Sequence, residues 1–200
     1  MDNQELRQPV QKRAIEKKNR IIECGFKLMC EKGYHNVDCI EIAKVSDVAT
    51  GTIYQYFKDK RDIFLQGLQK ENKEKLFPIL EFKDKKITKD NLYNTIDKII
   101  TVSVKTHNMS QIAHEEIMAM QHSDKEVASI FEQYEIETTN VVVELFEKNG
   151  LKLENPYEKA HLIVIWIDNL CHEIVYHRHD NINYDKMKEL VINSIINLLE

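Results

Sequence analysis

Two hundred residues, 42% apolar and 30% charged, suffice for one large or two small globular domains, and three prolines with five glycines point to long helices and few turns. A net charge of −5 argues against a uniformly basic nucleic-acid binder, but the charge is uneven: residues 1–64 hold 12 Lys and Arg against 10 Asp and Glu, residues 65–200 hold 16 against 23. The N-terminus is polar without an apolar leader segment, and the longest apolar run, 162–167, is too short to span a bilayer, so a cytoplasmic protein with no membrane partner is expected.

In chain order, residues 1–10 are expected to be disordered. Lys12, Arg13, Lys17, Lys18 and Arg20 then open a first helix. They read either as a solvated helix face or as an arm reaching phosphate or an adjacent minor groove. The helix continues to Lys32 with Ile22, Phe26, Met29 and Cys30 inward, and Gly33 ends it. Asp38 is a good N-cap for a second helix, with Glu41 completing a capping box and Ile42, Ala43 and Val45 as its apolar side. Ser46-Asp47 breaks the pattern, and Val48 plugs the turn. A third helix starts near Ala49 and Thr50, with Ile53 and Phe57 on its buried side. Its other side presents Thr50, Gly51, Thr52, Gln55 and Tyr56. Such small, hydroxyl, amide and phenol groups approach a base edge or a phosphate without blocking the groove. Helix, tight turn, helix at this spacing is the helix-turn-helix arrangement, whose second helix enters the major groove.

After Phe57, Lys58-Asp59-Lys60 leads into a long helix to about Leu80. Asp59 is its cap, Ile63, Phe64, Leu68 and Leu76 its apolar side, and Pro78 marks its end or a kink. The charged run 82–90 reads as a loop. Helices follow at about 89–107, 110–121 and 124–148, the third capped by Ser123 and stopped by Asn149-Gly150. Asn155 as N-cap and Pro156 at the first helical position open another to about Tyr176. A polar hinge, 177–183, precedes a last helix to Leu199. No strand alternation and no internal repeat occur. The fold class is therefore all-α: a three-helix, N-terminal helix-turn-helix DNA-binding domain over 1–64, and a C-terminal bundle of about six helices over 65–200 for effector binding and dimerisation.

The run from Ala43 to Lys60, with its TGTIYQYFKDK core, resembles the DNA-binding domain of the TetR family of transcriptional regulators. The preceding RIIECGFKLMCEKGY, 20–34, is similar to that family's first helix and its closing Gly-Tyr. Gly33, Tyr34, Ala43, Gly51, Thr52, Tyr54, Phe57 and Lys60 all fall in register, over about the first third of the chain. Two positions depart: Asp47 stands where the family usually has Gly in the turn, and Ala49 where it often has Ser or Thr as cap. Asp tolerates left-handed backbone better than most residues. Ala49 has no side-chain acceptor, so either the helix start loses about 1 kcal/mol or Thr50 caps in its place. The resemblance implies a homodimer on double-stranded operator DNA, most often a repressor, released by a small-molecule effector and using no cofactor. The expected DNA contacts are Thr50, Gly51, Thr52, Tyr54, Gln55 and Tyr56, with Lys58 and Lys60 after them. Tyr54 and Lys60 match the family's usual phosphate-binding positions. Gln55 is the base reader, because an amide can bond adenine bidentately.

Behind this segment the residues offer little catalysis. No nucleophile elbow, P-loop or dinucleotide fingerprint occurs, and an enzyme is not expected. His114 and His122 stand two helical turns apart, too far to share an ion, while His177, His179 and Asp180 read as solvated turn residues, so no metal site is expected. Cys24, Cys30, Cys39 and Cys171 sit singly in apolar helical patterns, as small core residues of a reducing compartment or, alternatively, as redox sensors. A helical bundle can place a ligand between its helices. Met109, Met118, Met120, Phe131, Tyr134 and Trp166 are candidates to line such a cavity, with His114, Gln121, Asn169 or Glu173 orienting the ligand, and plain core is the competing reading. The last two helices carry wide apolar sides. Ile163, Ile167, Leu170 and Ile174, with Leu190, Val191, Ser194 and Ile195, are expected to form a four-helix dimer interface. A regulator controlled by a protein partner or by redox state, without a small ligand, is the alternative.

Overall fold

The structure, a computed structural model, describes residues 12–107 and 109–200. The segment 1–10 lies outside them. Among the described residues there are nine α-helices, a single 3-10 turn and no strand. They are α1 Lys12–Lys32, α2 Cys39–Val45, α3 Thr50–Tyr56, α4 Lys60–Leu80, α5 Lys89–Thr106, α6 Gln111–Ser123, α7 Lys125–Lys148, α8 Pro156–Val175 and α9 Tyr184–Leu199, with the 3-10 turn at Tyr34–Asn36.

Most boundaries follow from local chemistry. Gly33, at φ 89°, and Gly150, at φ 72°, turn the chain left-handed after α1 and α7, where a side chain would be strained. The Asp38 carboxylate accepts from the Glu41 N–H at 2.8 Å and caps α2. Glu41 does not complete a capping box: its carboxylate pairs with Lys32 instead. Ser110 caps α6 through the Ala113 N–H. Asp124, not Ser123, caps α7, because its carboxylate takes the Glu126 and Val127 N–H groups while Ser123 still donates back to Ala119 within α6. Pro156 opens α8 as expected, but Asn155 before it is left-handed at φ 52° and gives no side-chain cap. Helix α4 continues two residues beyond Pro78.

The chain forms two compact units: the described part of Met1–Glu71 with Met109–Ile130, and Asn72–Asn108 with Phe131–Glu200. The first unit thus includes α6, which the sequence placed with the second domain. Three attachments account for it. The Ser110 hydroxyl donates to the Cys30 carbonyl, Glu116 accepts from the Tyr34 N–H, and Arg61 grips Asp124 with a fork of N–H groups at 2.7 and 2.8 Å while pairing with Glu126. The Asp124 carboxyl is held below the ordinary carboxylate range chiefly by the Arg61 hydrogen bonds.

Within the first unit Ile21, Met29, Ile42, Ile53, Phe57, Ile63, Phe64 and Leu68 are sealed from solvent. Val45 departs from the expected apolar side of α2 and is exposed, because only Ile42 and Ala43 face α1 and α3. In the second unit α8 packs on α5 and α9. Its core gathers Ile96, Ile100, Val142, Val143, Phe146, Ile163, Leu170, Ile192 and Ile195.

Candidate nucleic-acid interface and effector pocket

The turn between α2 and α3 rests on Asp47, at φ 51°, the left-handed position where the sequence departs from glycine. The Arg20 guanidinium donates to its carbonyl at 3.3 Å. Val48, only half-buried, bonds back to the Ala43 carbonyl at 3.0 Å, while Ser46 is the fully buried residue of the turn. Ala49 occupies the N-cap of α3 without a side-chain bond, and Thr50 is already helical, so nothing replaces the missing cap.

Helix α3 divides cleanly. Ile53, Tyr56 and Phe57 face inward. Gly51, Tyr54, Gln55 and Lys58 are exposed, and Thr50 and Thr52 half-buried, on the opposite side. A Cβ built on Gly51 would meet nothing within 4 Å, so this glycine leaves bare backbone on the outer face. Tyr54 is 50% exposed, and the neighbouring Cys39 thiol raises its phenol above the ordinary value.

Two expected contacts change. Tyr56 is only 5% exposed and stacks edge-on to Phe57, so its ring belongs to the core and not to the DNA face. Tyr56 is still helical and stands three residues after the buried Ile53, so it shares the inner side of α3. Lys60 is committed within the protein. Its ammonium donates to the Tyr34 and Val37 carbonyls at 2.7 and 2.8 Å and lies 4.5 Å over the Tyr34 ring, leaving one of three N–H groups. The ammonium therefore ties the start of α4 to the turn after α1.

The expected effector residues do not gather into one group. His114, Met118 and Gln121 belong to the first unit, with His114 buried in it. Phe131, Tyr134, Trp166 and Asn169 belong to the second, and Asn169 faces solvent. Of the seven, only Tyr134 lines a described cavity of the second unit, a space of about 410 Å³ edged by Ser103, His107, Thr138, Asp168 and Cys171. Burial, with the nearby Asp168 charge, pushes the Tyr134 phenol well above its ordinary range. A larger space of about 600 Å³ adjoins it and is almost wholly apolar. Ile96, Ile99, Leu145, Phe146, Ile163 and Ile195 are among its walls. The sequence reading missed it because its walls come from the core stripes of five helices and carry no polar signature.

The expected dimer face is also redrawn. Ile163, Leu170 and Ile195 are 6%, 1% and 1% exposed within a single protomer and have no surface to give a partner. Ile167, Ile174 and Val191 are half-buried, while Ser194 is exposed and Leu190 is 67% exposed. Leu162 and Ile165, which the sequence reading did not select, are exposed on α8. The apolar stripes were real, but their centres cover each other inside the chain, and only the flanks remain outside. None of the four cysteines forms a disulfide. No described helix is long and apolar enough to cross a membrane.

Comparison with known proteins agrees with this geometry. Residues 21–66 match the model of the tetR family of bacterial regulatory proteins. The Fatty acid metabolism regulator protein of Bacillus subtilis is 35% identical over 100 residues, 49% of this chain and 51% of that protein. The HTH-type transcriptional regulator HbdR of Aromatoleum is 43% identical over 54 residues, 27% of this chain and 24% of that protein. The chain thus spans about half the length of the first of these relatives and about a quarter of the second. A crystal structure described as a TetR-family transcriptional regulator from Syntrophomonas wolfei superposes with a TM-score of 0.66, at 24% identity, over 92% of this chain and 95% of that one, so the likeness of fold reaches far beyond the reading head. Together, the helix-turn-helix with its exposed α3 face and the family match over it make residues 21–66 a segment of the tetR family of bacterial regulatory proteins, within an all-helical fold shared with the Syntrophomonas wolfei structure.

Proposed function

We propose that the protein is a homodimeric transcriptional repressor that binds operator DNA through α3 and leaves it when a hydrophobic small molecule enters the second unit. The observation carrying this reading is the two-sided α3: a sealed inner face beneath an outer face of Gly51, Tyr54, Gln55 and Lys58 with two threonines. Lys58 supplies charge to phosphate, Tyr54 a hydroxyl, and Gln55 the amide that reads a base edge. Lys60 acts by positioning, since two of its N–H groups already hold the turn after α1.

The lining of the apolar space suits a long hydrocarbon. The printed name of the Bacillus subtilis relative concerns fatty acid metabolism, which makes acyl chains the first effectors to try. Ile79, near the end of α4, lines that space, and Lys60 and Arg61 at the start of the same helix hold the reading head. A ligand that rearranges the last turns of α4 therefore acts on a helix whose first turn positions α3. A few kcal/mol of preference for the released state is enough. Leu162, Ile165, Leu190 and Ser194 are the groups proposed to meet a second copy, which half-sites about 34 Å apart require.

The test is fluorescence anisotropy of the full chain on its own upstream DNA, across a salt series. Two chains per site are expected, with affinity falling steeply as salt rises. Tyr54→Ala and Lys58→Ala should each weaken binding at least tenfold, and addition of a long-chain fatty acid or its thioester should release the DNA. Wild-type affinity in both variants would sink the contact assignment.

A second reading, thiol control, draws on the closeness of the Cys39 thiol to the Tyr54 phenol. It predicts that mild oxidation releases DNA from the wild type but not from Cys39→Ser. Equal loss in both would remove it.

A further inference from the structure

The smaller cavity of the second unit contains a constellation that the regulator reading does not use. His107, at the end of α5, and Asp168 and His172, one turn apart on α8, each bring a ligand atom to within 4.8 Å of the other two. His107 is 4% exposed. Its Nδ1 lies 2.7 Å from the Ser103 carbonyl, an acceptor only, so Nδ1 carries a proton and in the neutral ring Nε2 presents a lone pair. That Nε2 is buried and makes no hydrogen bond. It lies 3.4 Å from Asp168 Oδ1, which is within ion-pair range but lacks hydrogen-bond geometry. The other carboxylate oxygen, Oδ2, is 3.7 Å from His172 Nδ1. A lone pair thus faces a carboxylate oxygen at the edge of a cavity, with His172 closing the third side. A cation between the two groups would satisfy the buried lone pair and the carboxylate together.

We propose that His107, Asp168 and His172 form a binding site for a divalent first-row transition ion, with zinc the ion that suits them best. Two imidazoles and one carboxylate are a borderline donor set, favoured by Zn²⁺, Co²⁺ and Ni²⁺ over Mg²⁺ or Ca²⁺. Ligand atoms around a tetrahedral zinc stand roughly 3.3 Å apart, given metal–ligand bonds of about 2.0 Å. The separation of 3.4 Å between Nε2 and Oδ1 already matches that edge. The Ser103 carbonyl behind Nδ1 is the outer partner that metal-bound histidines characteristically have, fixing ring and tautomer. Three protein ligands leave a fourth position open toward the cavity edged by Tyr134, Thr138 and Cys171, where a water or an anionic ligand group can bind. The site's cavity adjoins the apolar space proposed to hold an effector and shares Ile79, Val142, Ile163 and Ile167 with it.

The sequence carried a readable trace of it. Asp168 and His172 are four apart, on one face of a helix. The third ligand lies more than sixty positions away, and the histidines weighed from sequence, His114 with His122 and His177 with His179, are other residues.

The experiment is a Co²⁺ titration of the full, tag-free chain after removal of metal by chelator, read by visible absorption and repeated by calorimetry with Zn²⁺. One ion per chain is expected, with the intense absorption of four- or five-coordinate cobalt and displacement by zinc. His107→Ala and Asp168→Ala should weaken binding at least tenfold. His172→Ala, which alters a partly exposed side chain, should do the same while keeping the wild-type circular dichroism and metal-free melting point. His177→Ala with His179→Ala should leave the stoichiometry unchanged. Zinc should raise the melting temperature of the wild type and not of His107→Ala. A wild type that binds cobalt no better than His107→Ala and His172→Ala, or whose binding is lost with His177 and His179, would overturn the proposal and leave His107 and Asp168 as a proton-sharing pair.

Discussion

The two units solve opposite packing problems. In the first, helices approach so closely that glycine is required: a Cβ on Gly67 would lie 2.5 Å from the Phe26 side chain, and one on Gly25 would lie 2.9 Å from Ile63 and 3.0 Å from Ile42. Tight packing of that kind resists deformation and fixes the outer face of α3. In the second unit, long helices lined with Ile, Leu and Val leave about 600 Å³ open between them. A reader of DNA gains from one rigid arrangement, whereas a receiver of ligands needs space and more than one arrangement. The chain assigns each property to a separate set of residues.

Four substitutions break or sharpen this contrast, in decreasing order of effect. Gly67→Ala should be the most damaging, because the Phe26 contact includes its Cβ, which has little freedom to retreat. A loss of about 2 to 3 kcal/mol is expected in urea unfolding, together with loss of operator binding. Ile99→Phe, in the wall of the open space, should change stability by less than about 1.5 kcal/mol, since the ring has room. It should instead weaken binding of a fluorescent fatty acid at least tenfold while leaving operator affinity intact. Equal unfolding losses in these two variants would refute the contrast.

Ala49→Ser supplies the cap that α3 lacks and should stabilise the protein by about 1 kcal/mol, measured as a shift in the urea midpoint. The smallest effect concerns the Arg61–Asp124 pair, which is partly open to solvent and worth less than roughly 1 kcal/mol. Arg61 holds the Asp124 carboxyl below its ordinary value, so the folded state favours the charged form. That stabilisation is complete above the unfolded carboxyl value, about 4, and disappears as pH falls through the lower folded one. Asp124→Asn should therefore melt below the wild type at pH 7 and converge with it as pH falls through the lowered folded value.

Helix limits were nearly all legible in the sequence, since they depend on neighbours within about four residues. Asp38 caps α2, Pro156 opens α8, and Gly33 and Gly150 end α1 and α7. The left-handed turn at Asp47 and the uncapped start at Ala49 were legible for the same reason. So was the outer face of α3 apart from Tyr56, which stands three residues after the buried Ile53 and shares its side. Ser123 against Asp124 shows the limit of such rules: two adjacent good caps compete, and the carboxylate, held by Arg61 from another helix, prevails.

Tertiary structure alone decided what covers each face. An apolar stripe states that a residue is to be buried, not by what, so Ile163, Leu170 and Ile195 went to their own core while Leu162, Ile165 and Leu190 stayed outside. Long-range hydrogen bonds likewise turned Lys60 from a free charge into a brace, joined α6 to the first unit through Tyr34 and Glu116, and brought His107 beside Asp168. These outcomes join residues from 23 to 82 positions apart, beyond the reach of any local pattern, and they emerge only when helices pack.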